Sequence, residues 1–238
     1  MFHMCETSGS LSLALSRNNW ALLVINRGEM DLIVFGASGR LGLKIVERAL
    51  AGGHRVRAFV RIPSKITLQH PYLTLFQGDS MDAGAVYKAL AEQEAVISTL
   101  GPERPPIPGM METSAQNIVT AMKERGMYRL VSTTGAGVWQ QKDQPKPIDY
   151  VIAILLNIIA REVVRDSAAN VEVIKASNLD WTVVRFPRLT DDPPSGKYRV
   201  GYINKGSSSQ VARADAADFI LKELTEKKWV RKAPLVSY

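Results

Sequence analysis

The stretch Asp31-Leu-Ile-Val-Phe-Gly-Ala-Ser-Gly-Arg-Leu-Gly42 decides the fold of this chain. Its first five residues are mainly apolar and β-branched, which is typical of a short strand buried on both faces. The glycine-rich turn follows at once, and Leu43–Leu50 then carries apolar residues at helical spacing. Two consecutive glycines end that helix, and Arg55–Val60 resumes as a strand. This order of strand, glycine turn, helix and strand predicts a βαβ unit.

Each glycine of the turn has a physical role. Gly36 allows the tight turn off the strand, Gly39 lets the backbone approach a phosphate, and Gly42 lets the helix pack closely on the sheet. The helix start adds free N–H groups and the positive end of the helix dipole, which favour an anion. A glycine-rich turn without a ligand is the plainer alternative. We expect a dinucleotide pyrophosphate to contact Gly36, Ala37, Ser38, Gly39, Arg40, Leu41 and Gly42.

The end of the second predicted strand distinguishes between the two nicotinamide cofactors. Proteins that bind NAD place Asp or Glu there, about 20 residues after the glycines, to hold the ribose hydroxyls. Here the chain has Arg61, Ser64 and Lys65, and no acid in that stretch. A guanidinium pairs well with phosphate, so these residues favour NADP(H) and its 2′-phosphate. The alternative is that Arg61 and Lys65 are ordinary solvated surface charges.

Three further predicted strands follow. The third is Leu73–Asp79, and Gly78, Asp79 and the following Ser80 are expected to contact the cofactor. Asp79 either accepts a hydrogen bond from adenine or caps a helix that begins near Met81. The fourth ends beneath the expected cofactor, in Thr99, Leu100 and Gly101. A proline-rich loop from Glu103 to Gly109 follows, and the fifth strand is Arg129–Thr134. The repeated alternation predicts an α/β fold, a single-domain Rossmann-type doubly wound parallel sheet with helices on both faces.

The composition restricts the classes of function. The chain has 238 residues and a net charge of +7, with one cysteine and three histidines. One cysteine excludes a disulfide framework and a cysteine zinc site, and no metal site is expected. The basic charge admits nucleic acid, a membrane surface or a phosphorylated cofactor as a partner. We expect no nucleic acid, because no motif interleaves aromatic and basic residues.

The domain organisation is simple. Residues 1–29 are rich in Ser and Asn and read as a flexible or appended extension, or as a transit peptide, and residues 30–238 as one domain that includes the substrate pocket. The apolar runs Trp20–Ile25 and Tyr150–Ala160 are too short to span a membrane. The second run is expected to pack as a helix, to form a lid or to contact another chain. We expect a cytoplasmic protein that is a monomer or a weak homo-oligomer.

A wider set of motifs carries a resemblance to a known family. Gly36–Gly42, Val60-Arg61, Gly78-Asp79, Val131–Thr134, Ser177–Arg185 and Arg188–Asp191 occur in this order. Together they resemble the atypical short-chain dehydrogenase/reductases with NAD(P)H-binding, NmrA-like domains, and within them the biliverdin reductase B / flavin reductase branch. The resemblance runs from about Met30 to Tyr238. It implies that NADP lies across the carboxyl ends of the strands.

The resemblance also implies roles for the second half of the chain. Ser132, Thr133 and Thr134 match strand-end hydroxyl residues near the nicotinamide and are the candidate catalytic residues. Phe186 and Pro187 are expected beside the nicotinamide. The expected substrate-binding residues are Pro102, Trp139, Arg188 and Leu189. For Trp139 packing in the core or a lid is an equal alternative, and for Arg188 simple exposure.

One departure from the usual short-chain dehydrogenases shapes the functional hypothesis. They carry Tyr-x-x-x-Lys, but Tyr150 is followed by Ile154 at the lysine position, and no other tyrosine has a lysine at that spacing. A tyrosine-catalysed alcohol or ketone conversion is therefore not expected. The hypothesis is an NADPH-dependent oxidoreductase that transfers hydride to a planar acceptor such as a flavin, a quinone or a tetrapyrrole-like molecule. The alternative is a non-catalytic NADP(H)-binding regulator or redox sensor of the NmrA-like type.

Overall fold

A computed structural model describes residues 29–103, 105–204 and 206–238 of the chain. The expected N-terminal extension therefore lies almost wholly outside the described residues. The strands are β1 (Asp31–Phe35), β2 (Arg55–Val60), β3 (Leu73–Gln77), β4 (Ala95–Ser98), β5 (Arg129–Gly135), β6 (Asp180–Phe186), β7 (Arg188–Thr190), β8 (Arg199–Gly201), β9 (Gln210–Ala212) and β10 (Leu235–Ser237). The helices are α1 (Arg40–Ala51), α2 (Ala83–Ala89), α3 (Met110–Glu124), α4 (Pro147–Ile159), α5 (Arg161–Lys175) and α6 (Arg213–Glu226).

Eight strands form one sheet in the order β3-β2-β1-β4-β5-β6-β10-β8. All neighbours pair in parallel except β10 and β8, and β7 pairs with β9 in a small separate ribbon. The chain builds the sheet outward from β1 in one direction and then returns to start β4 on the other side of β1. This reversal opens a crevice at the carboxyl ends of β1 and β4, which is where doubly wound folds bind their ligands.

Both faces of the sheet are covered, as the near-continuous apolar strands predict. Along β1, Leu32 and Val34 belong to a buried cluster that contains side chains of α1 and α6. Ile33 and Phe35 belong to a second cluster, with side chains of α2, α3 and α5. Successive side chains of a strand point to opposite faces, so the two cores follow from the strand pattern. The predicted fold class is confirmed.

Two local predictions need correction. The third strand ends at Gln77, and α2 begins at Ala83 rather than near Met81. Asp82 is its N-cap and accepts hydrogen bonds from the N–H groups of Gly84 and Ala85 at 2.8 and 3.1 Å. A second acid, three residues downstream, therefore takes the capping position that we assigned to Asp79.

Within the part of the chain that the structure describes, no helix is long and apolar enough to cross a membrane.

Candidate functional site

The glycine turn is shaped by close approaches that exclude any side chain. Gly36 has φ +76°, and a Cβ built on it would lie 2.9 Å from the backbone of Thr99 at the end of β4. A Cβ on Gly42 would lie 2.2 Å from the carbonyl oxygen of Gly36. The Thr99 hydroxyl donates to the Phe35 carbonyl oxygen at 3.0 Å. The turn is therefore held between two strand ends, and glycine is required at both positions.

The turn leads into a helix start that can receive an anion. The N-cap of α1 is Gly39, and among the described residues no side chain caps this end and no acid occupies its first turn. The first N–H groups of a helix have no partner within the helix, so they point towards the crevice with the positive end of the dipole. Gly36 through Gly42 thus form a cradle that fits a pyrophosphate.

An acid already lies at the edge of this cradle. The Arg40 guanidinium is 3.6 Å from the carboxylate of Asp191, which also pairs at 2.6 Å with the largely buried Arg213 at the start of α6. Asp191 is two-thirds exposed and joins the starts of α1 and α6. The loop after β7 is therefore tied to the glycine turn by an exposed ion pair that solvent screens.

Arg61 directly follows β2, and it has an acidic partner that sequence reasoning missed. Its guanidinium forms a salt bridge with Glu103 of the proline-rich loop after β4. Arg61 is 51% exposed and Glu103 25% exposed. Ser64 and Lys65 lie exposed in the short 3-10 turn Pro63–Lys65 beside them. Arg61, Ser64 and Lys65 thus offer three hydrogen-bond donors for a phosphate. The strongest of them, the Arg61 guanidinium, is already paired with the Glu103 carboxylate.

The residues predicted to contact the adenine end of the cofactor differ in exposure and in hydrogen bonding. Asp79 is exposed, and one of its carboxylate oxygens accepts the Met81 N–H at 2.9 Å. Ser80 is buried, and its hydroxyl accepts a hydrogen bond from the Ser114 hydroxyl at 2.8 Å. A Cβ on Gly78 would lie 2.7 Å from the Phe59 ring. Asp79 keeps a free acceptor atom for adenine, whereas the Ser80 side chain is engaged inside the domain.

The end of β4 contributes to the floor of the crevice. Thr99 and Leu100 are half-buried, and Gly101 and Pro102 are exposed. Leu100 lines a small buried cavity with Ser98 and with Asn170 of α5. The Asn170 side-chain oxygen is buried and has no hydrogen-bond partner among the described residues. Pro102 lines a second small cavity, against the start of α5.

The candidate catalytic hydroxyls lie inside the sheet. Ser132, Thr133 and Thr134 are each at most 9% exposed and pair in register with Val183–Arg185 of β6. The Thr133 hydroxyl donates to the Ser98 carbonyl oxygen at 3.3 Å. The Thr134 hydroxyl is buried without a partner in the described part of the chain. An unpaired buried hydroxyl is costly, so the Thr134 side chain has an unused hydrogen-bonding capacity at this edge of the sheet.

The residues after β6 approach the same edge of the sheet. The Phe186 side chain is buried, and its carbonyl oxygen accepts the Ala136 N–H at 2.8 Å, which joins the ends of β5 and β6. Pro187 and Leu189 are half-buried, and Arg188 is exposed. The structure therefore brings the expected nicotinamide residues together at one edge, while Arg188 remains in solvent.

A buried ion pair fixes the loop that carries Trp139. Arg185 is fully buried and binds the Asp143 carboxylate with both Nη atoms, at 2.5 and 2.8 Å. Burial would raise the pKa of Asp143, but Arg185 and the N–H groups of Gln140 and Ile203 bind its charged form and lower the pKa below its usual value. Trp139 is half-buried and meets the ring of Tyr150 edge-on at 4.9 Å. The sequence alone does not identify Asp143 as the partner of Arg185, because the two residues are 42 positions apart in the chain.

A second buried carboxylate orders the loop beyond β7. Asp215 accepts hydrogen bonds from the N–H and hydroxyl groups of Ser195, the N–H of Gly196 and the hydroxyl of Tyr238, all between 2.8 and 3.0 Å. Burial opposes the charge on Asp215, but these donors lower its pKa overall. The loop between β7 and β8 is thereby anchored to α6 and to Tyr238.

Comparison with known proteins agrees with this geometry. Residues 36–227 match the model of the NAD(P)H-binding family. Dihydroflavonol 4-reductase of Hordeum vulgare is 28% identical over 144 residues, which are 51% of this chain and 39% of that protein. An isoflavone reductase homologue of Nicotiana tabacum is 29% identical over 107 residues, 40% of this chain and 31% of that protein. The chain thus matches about a third of the length of these relatives.

Solved structures share the fold over nearly the whole chain. A short-chain dehydrogenase/reductase of Veillonella parvula in complex with NADP has a TM-score of 0.72 and 19% identity, covering 89% of this chain and 95% of that one. An anaerobillin reductase of Escherichia coli O157:H7 has a TM-score of 0.68 and 20% identity, covering 87% of this chain and 96% of that one. At these identities the likeness shows the fold.

Proposed function

Because the chain belongs to the NAD(P)H-binding family, we propose that it is an NADPH-dependent oxidoreductase that reduces a planar acceptor. The acceptor class is a flavin, a quinone or a tetrapyrrole-like molecule. The bound cofactor would supply a hydride, and the protein would bind and orient the two rings. We also propose that residues 30–238 form one functional domain and that the protein is located in the cytoplasm.

One observation carries the nucleotide part of the proposal. The cradle from Gly36 to Gly42 has no room for a Cβ at its two ends, and it opens onto the uncapped start of α1. Both features serve a ligand that approaches the backbone closely and carries negative charge. The pyrophosphate would lie on this cradle, with adenine towards Asp79 and the nicotinamide towards Thr134 and Pro187.

The preference for NADPH rests on the group around Arg61. A 2′-phosphate would compete with Glu103 for the guanidinium, and Ser64 and Lys65 would add donors. The exposed pair between Arg61 and Glu103 is weak, of the order of 0–1 kcal/mol, whereas a bidentate phosphate pair is stronger. Without the 2′-phosphate, Glu103 would keep its pair with Arg61, and its carboxylate could also accept hydrogen bonds from the ribose hydroxyls, so Glu103 also sets how much NADH the site tolerates.

The acceptor part rests on the residues around the expected nicotinamide. Trp139 is positioned by Tyr150 and by the loop that Arg185 and Asp143 fix, and it offers an aromatic face for a planar ring. With no Tyr-x-x-x-Lys pair in the sequence, the proton for a carbonyl substrate has no obvious donor. A flavin or quinone that has received a hydride needs only one proton, which water can supply, so this class suits the site better than ketones.

A non-catalytic NADP(H) sensor is the second candidate. The observation in its favour is that Ser132, Thr133 and Thr134 are buried and that Tyr-x-x-x-Lys is absent. Such a protein would bind the nucleotide through the same cradle but would not transfer a hydride to an acceptor.

The test combines binding with turnover. Calorimetry would measure the affinities for NADPH and NADH, and the loss of NADPH absorbance would be followed with FMN, FAD and a set of small quinones. The proposal predicts tighter binding of NADPH and oxidation with at least one acceptor. Tight binding without turnover on any acceptor would support the sensor, and equal or tighter binding of NADH would refute the role given to Arg61.

A further inference from the structure

Helix α4 presents a large apolar surface to solvent. Nine of its aliphatic and aromatic side chains are at least 42% exposed, and Ile158 and Ile159 reach 74%. Every residue of the helix is described, and none is buried. Exposed apolar residues of soluble proteins are normally scattered singly, whereas these nine lie together on one helix of thirteen residues. A surface of this size indicates a contact with something other than water.

Helix α4 is oriented in the opposite way to an ordinary surface helix, which turns its apolar side towards the domain and its polar side towards water. Asp149, Ala153 and Ala160 lie along one stripe of the helical surface and are half-buried. Ile154 and Ile158, on another side, are exposed at 62% and 74%. The domain therefore receives the small and polar side of α4, and the broad apolar side faces outward.

The charges around the helix identify the kind of partner. Two basic residues precede α4 and two follow it: Lys142, Lys146, Arg161 and Arg165. Among the nearby acids, Asp143 is bound to Arg185, Asp166 accepts the N–H groups that start α3, and Asp149 accepts the Lys146 N–H. Glu162 is the exposed acid at the end of α4. The N–H groups that Asp149 and Asp166 accept do not cancel their charge, but both carboxylates belong to half-buried residues. Among the exposed side chains, Lys142 lies before α4, and Arg161 and Arg165 outnumber Glu162 after it, so the exposed charge at each end is positive.

This charge pattern distinguishes between two partners that could cover α4, a second copy of the chain and an anionic lipid surface. A second copy of the chain that packed on α4, parallel or antiparallel, would bring basic ends together, which costs affinity. An anionic lipid surface would meet both ends with opposite charge, and the net charge of +7 would add long-range attraction. Thirteen residues give a helix of about 20 Å, which is shorter than the ~30 Å hydrocarbon core, so such a helix lies along the surface.

We propose that α4 docks this protein on an anionic phospholipid bilayer. The outward isoleucine and leucine side chains enter the boundary between headgroups and acyl chains, and the flanking Lys and Arg side chains meet the lipid phosphates. The proposal concerns a surface distinct from the nucleotide cradle and does not depend on catalysis.

Vesicle flotation of the full chain tests the proposal. Vesicles of phosphatidylcholine alone would be compared with vesicles that also contain phosphatidylglycerol, at low and high salt. The variants are Ile154→Ser with Ile158→Ser, and Arg161→Glu with Arg165→Glu. The matched control is Tyr128→Ser, because Tyr128 is 61% exposed at the start of β5, outside α4. Thermal unfolding and NADPH binding check that each variant folds, since the altered side chains contribute little to the core.

The wild-type chain and Tyr128→Ser are expected to float with the anionic vesicles, and binding should weaken at high salt. The double serine variant should lose about tenfold or more in partitioning, because two exposed aliphatic side chains are removed from the lipid contact. The double glutamate variant should lose its preference for anionic vesicles. The proposal is overturned if the wild-type chain does not float, if the double serine variant floats equally well, or if α4 substitutions only dissociate a dimer in sedimentation equilibrium.

Discussion

Replacing Gly42 by alanine tests whether close packing of the glycine turn creates the nucleotide cradle. The new Cβ would lie 2.2 Å from the Gly36 carbonyl oxygen, about 1 Å inside the ~3.3 Å of a close C···O contact. Alanine would gain about 1 kcal/mol of helix propensity over glycine. Forcing an extra methyl group into a packed site costs about 1–3 kcal/mol and moves the backbone. The turn and the start of α1 must therefore separate by about 1 Å.

The separation has two measurable consequences. The melting temperature should fall by a few degrees, since 1 kcal/mol corresponds to about 2–4 °C in a domain of this size. A shift of 1 Å breaks hydrogen bonds from the turn to the phosphates, and each bond to a charged group contributes about 1.5–3 kcal/mol. Calorimetry should then show NADPH affinity reduced by about tenfold to a hundredfold or more.

Gly84→Ala is the matched control for this prediction. Gly84 also lies in a helix, α2, but a Cβ there meets only the exposed Asp82 carboxylate, at 3.3 Å. This variant should bind NADPH like the wild type and unfold at the same temperature or slightly higher. If Gly42→Ala kept both the affinity and the melting temperature of the wild type, the cradle would not depend on the close packing described above.

Three further predictions concern the charged groups. Glu103→Gln should strengthen NADPH binding about twofold to fivefold and weaken NADH binding, because it frees Arg61 from an ion pair of under about 1 kcal/mol. If calorimetry showed no change in the ratio of the NADPH and NADH affinities, Glu103 would have no part in cofactor selection. Asp143→Asn should destabilise the domain by about 3–5 kcal/mol, because it leaves Arg185 charged, buried and without its carboxylate partner. Denaturant unfolding would measure this loss, and an unchanged unfolding midpoint would contradict the prediction. The carboxyls of Asp143 and Asp215 have lowered pKa values, so the stability they add is complete above about pH 4 and is lost as the pH falls through their folded pKa values. Asp215→Asn should accordingly flatten the acid side of a plot of melting temperature against pH, whereas an unchanged profile would show that Asp215 does not titrate with unfolding.

The parts of the fold that depend on neighbours in the chain were predictable from the sequence. The strand from Asp31, the glycine turn and α1 follow from periodicity and from the conformational freedom of glycine at Gly36. The start of α2 was misplaced because Asp79 and Asp82 are both good caps, and local sequence does not say which carboxylate reaches the free N–H groups. Such errors at helix ends are local and leave the topology unchanged.

The features of the site that sequence reasoning missed are contacts between distant residues. Glu103 meets Arg61 from a loop 42 positions away, and Asp143 meets Arg185 across the same interval. An acid in a loop at the carboxyl end of the sheet is the only signal that pointed to Glu103. The outward orientation of α4 was also hidden, because an apolar run such as Tyr150–Ala160 reads equally well as a buried helix or an exposed one.

A comparison of NADPH with NADH, in binding and in turnover, would show whether the protein is an NADPH-dependent reductase. It would use the wild-type chain, with Arg61→Ala as the matched variant and FMN and small quinones as acceptors. The wild type is expected to bind NADPH more tightly than NADH, to oxidise it with at least one acceptor, and to lose the preference when the Arg61 side chain is removed. Tighter binding of NADH, or a preference for NADPH that survives in Arg61→Ala, would contradict this expectation.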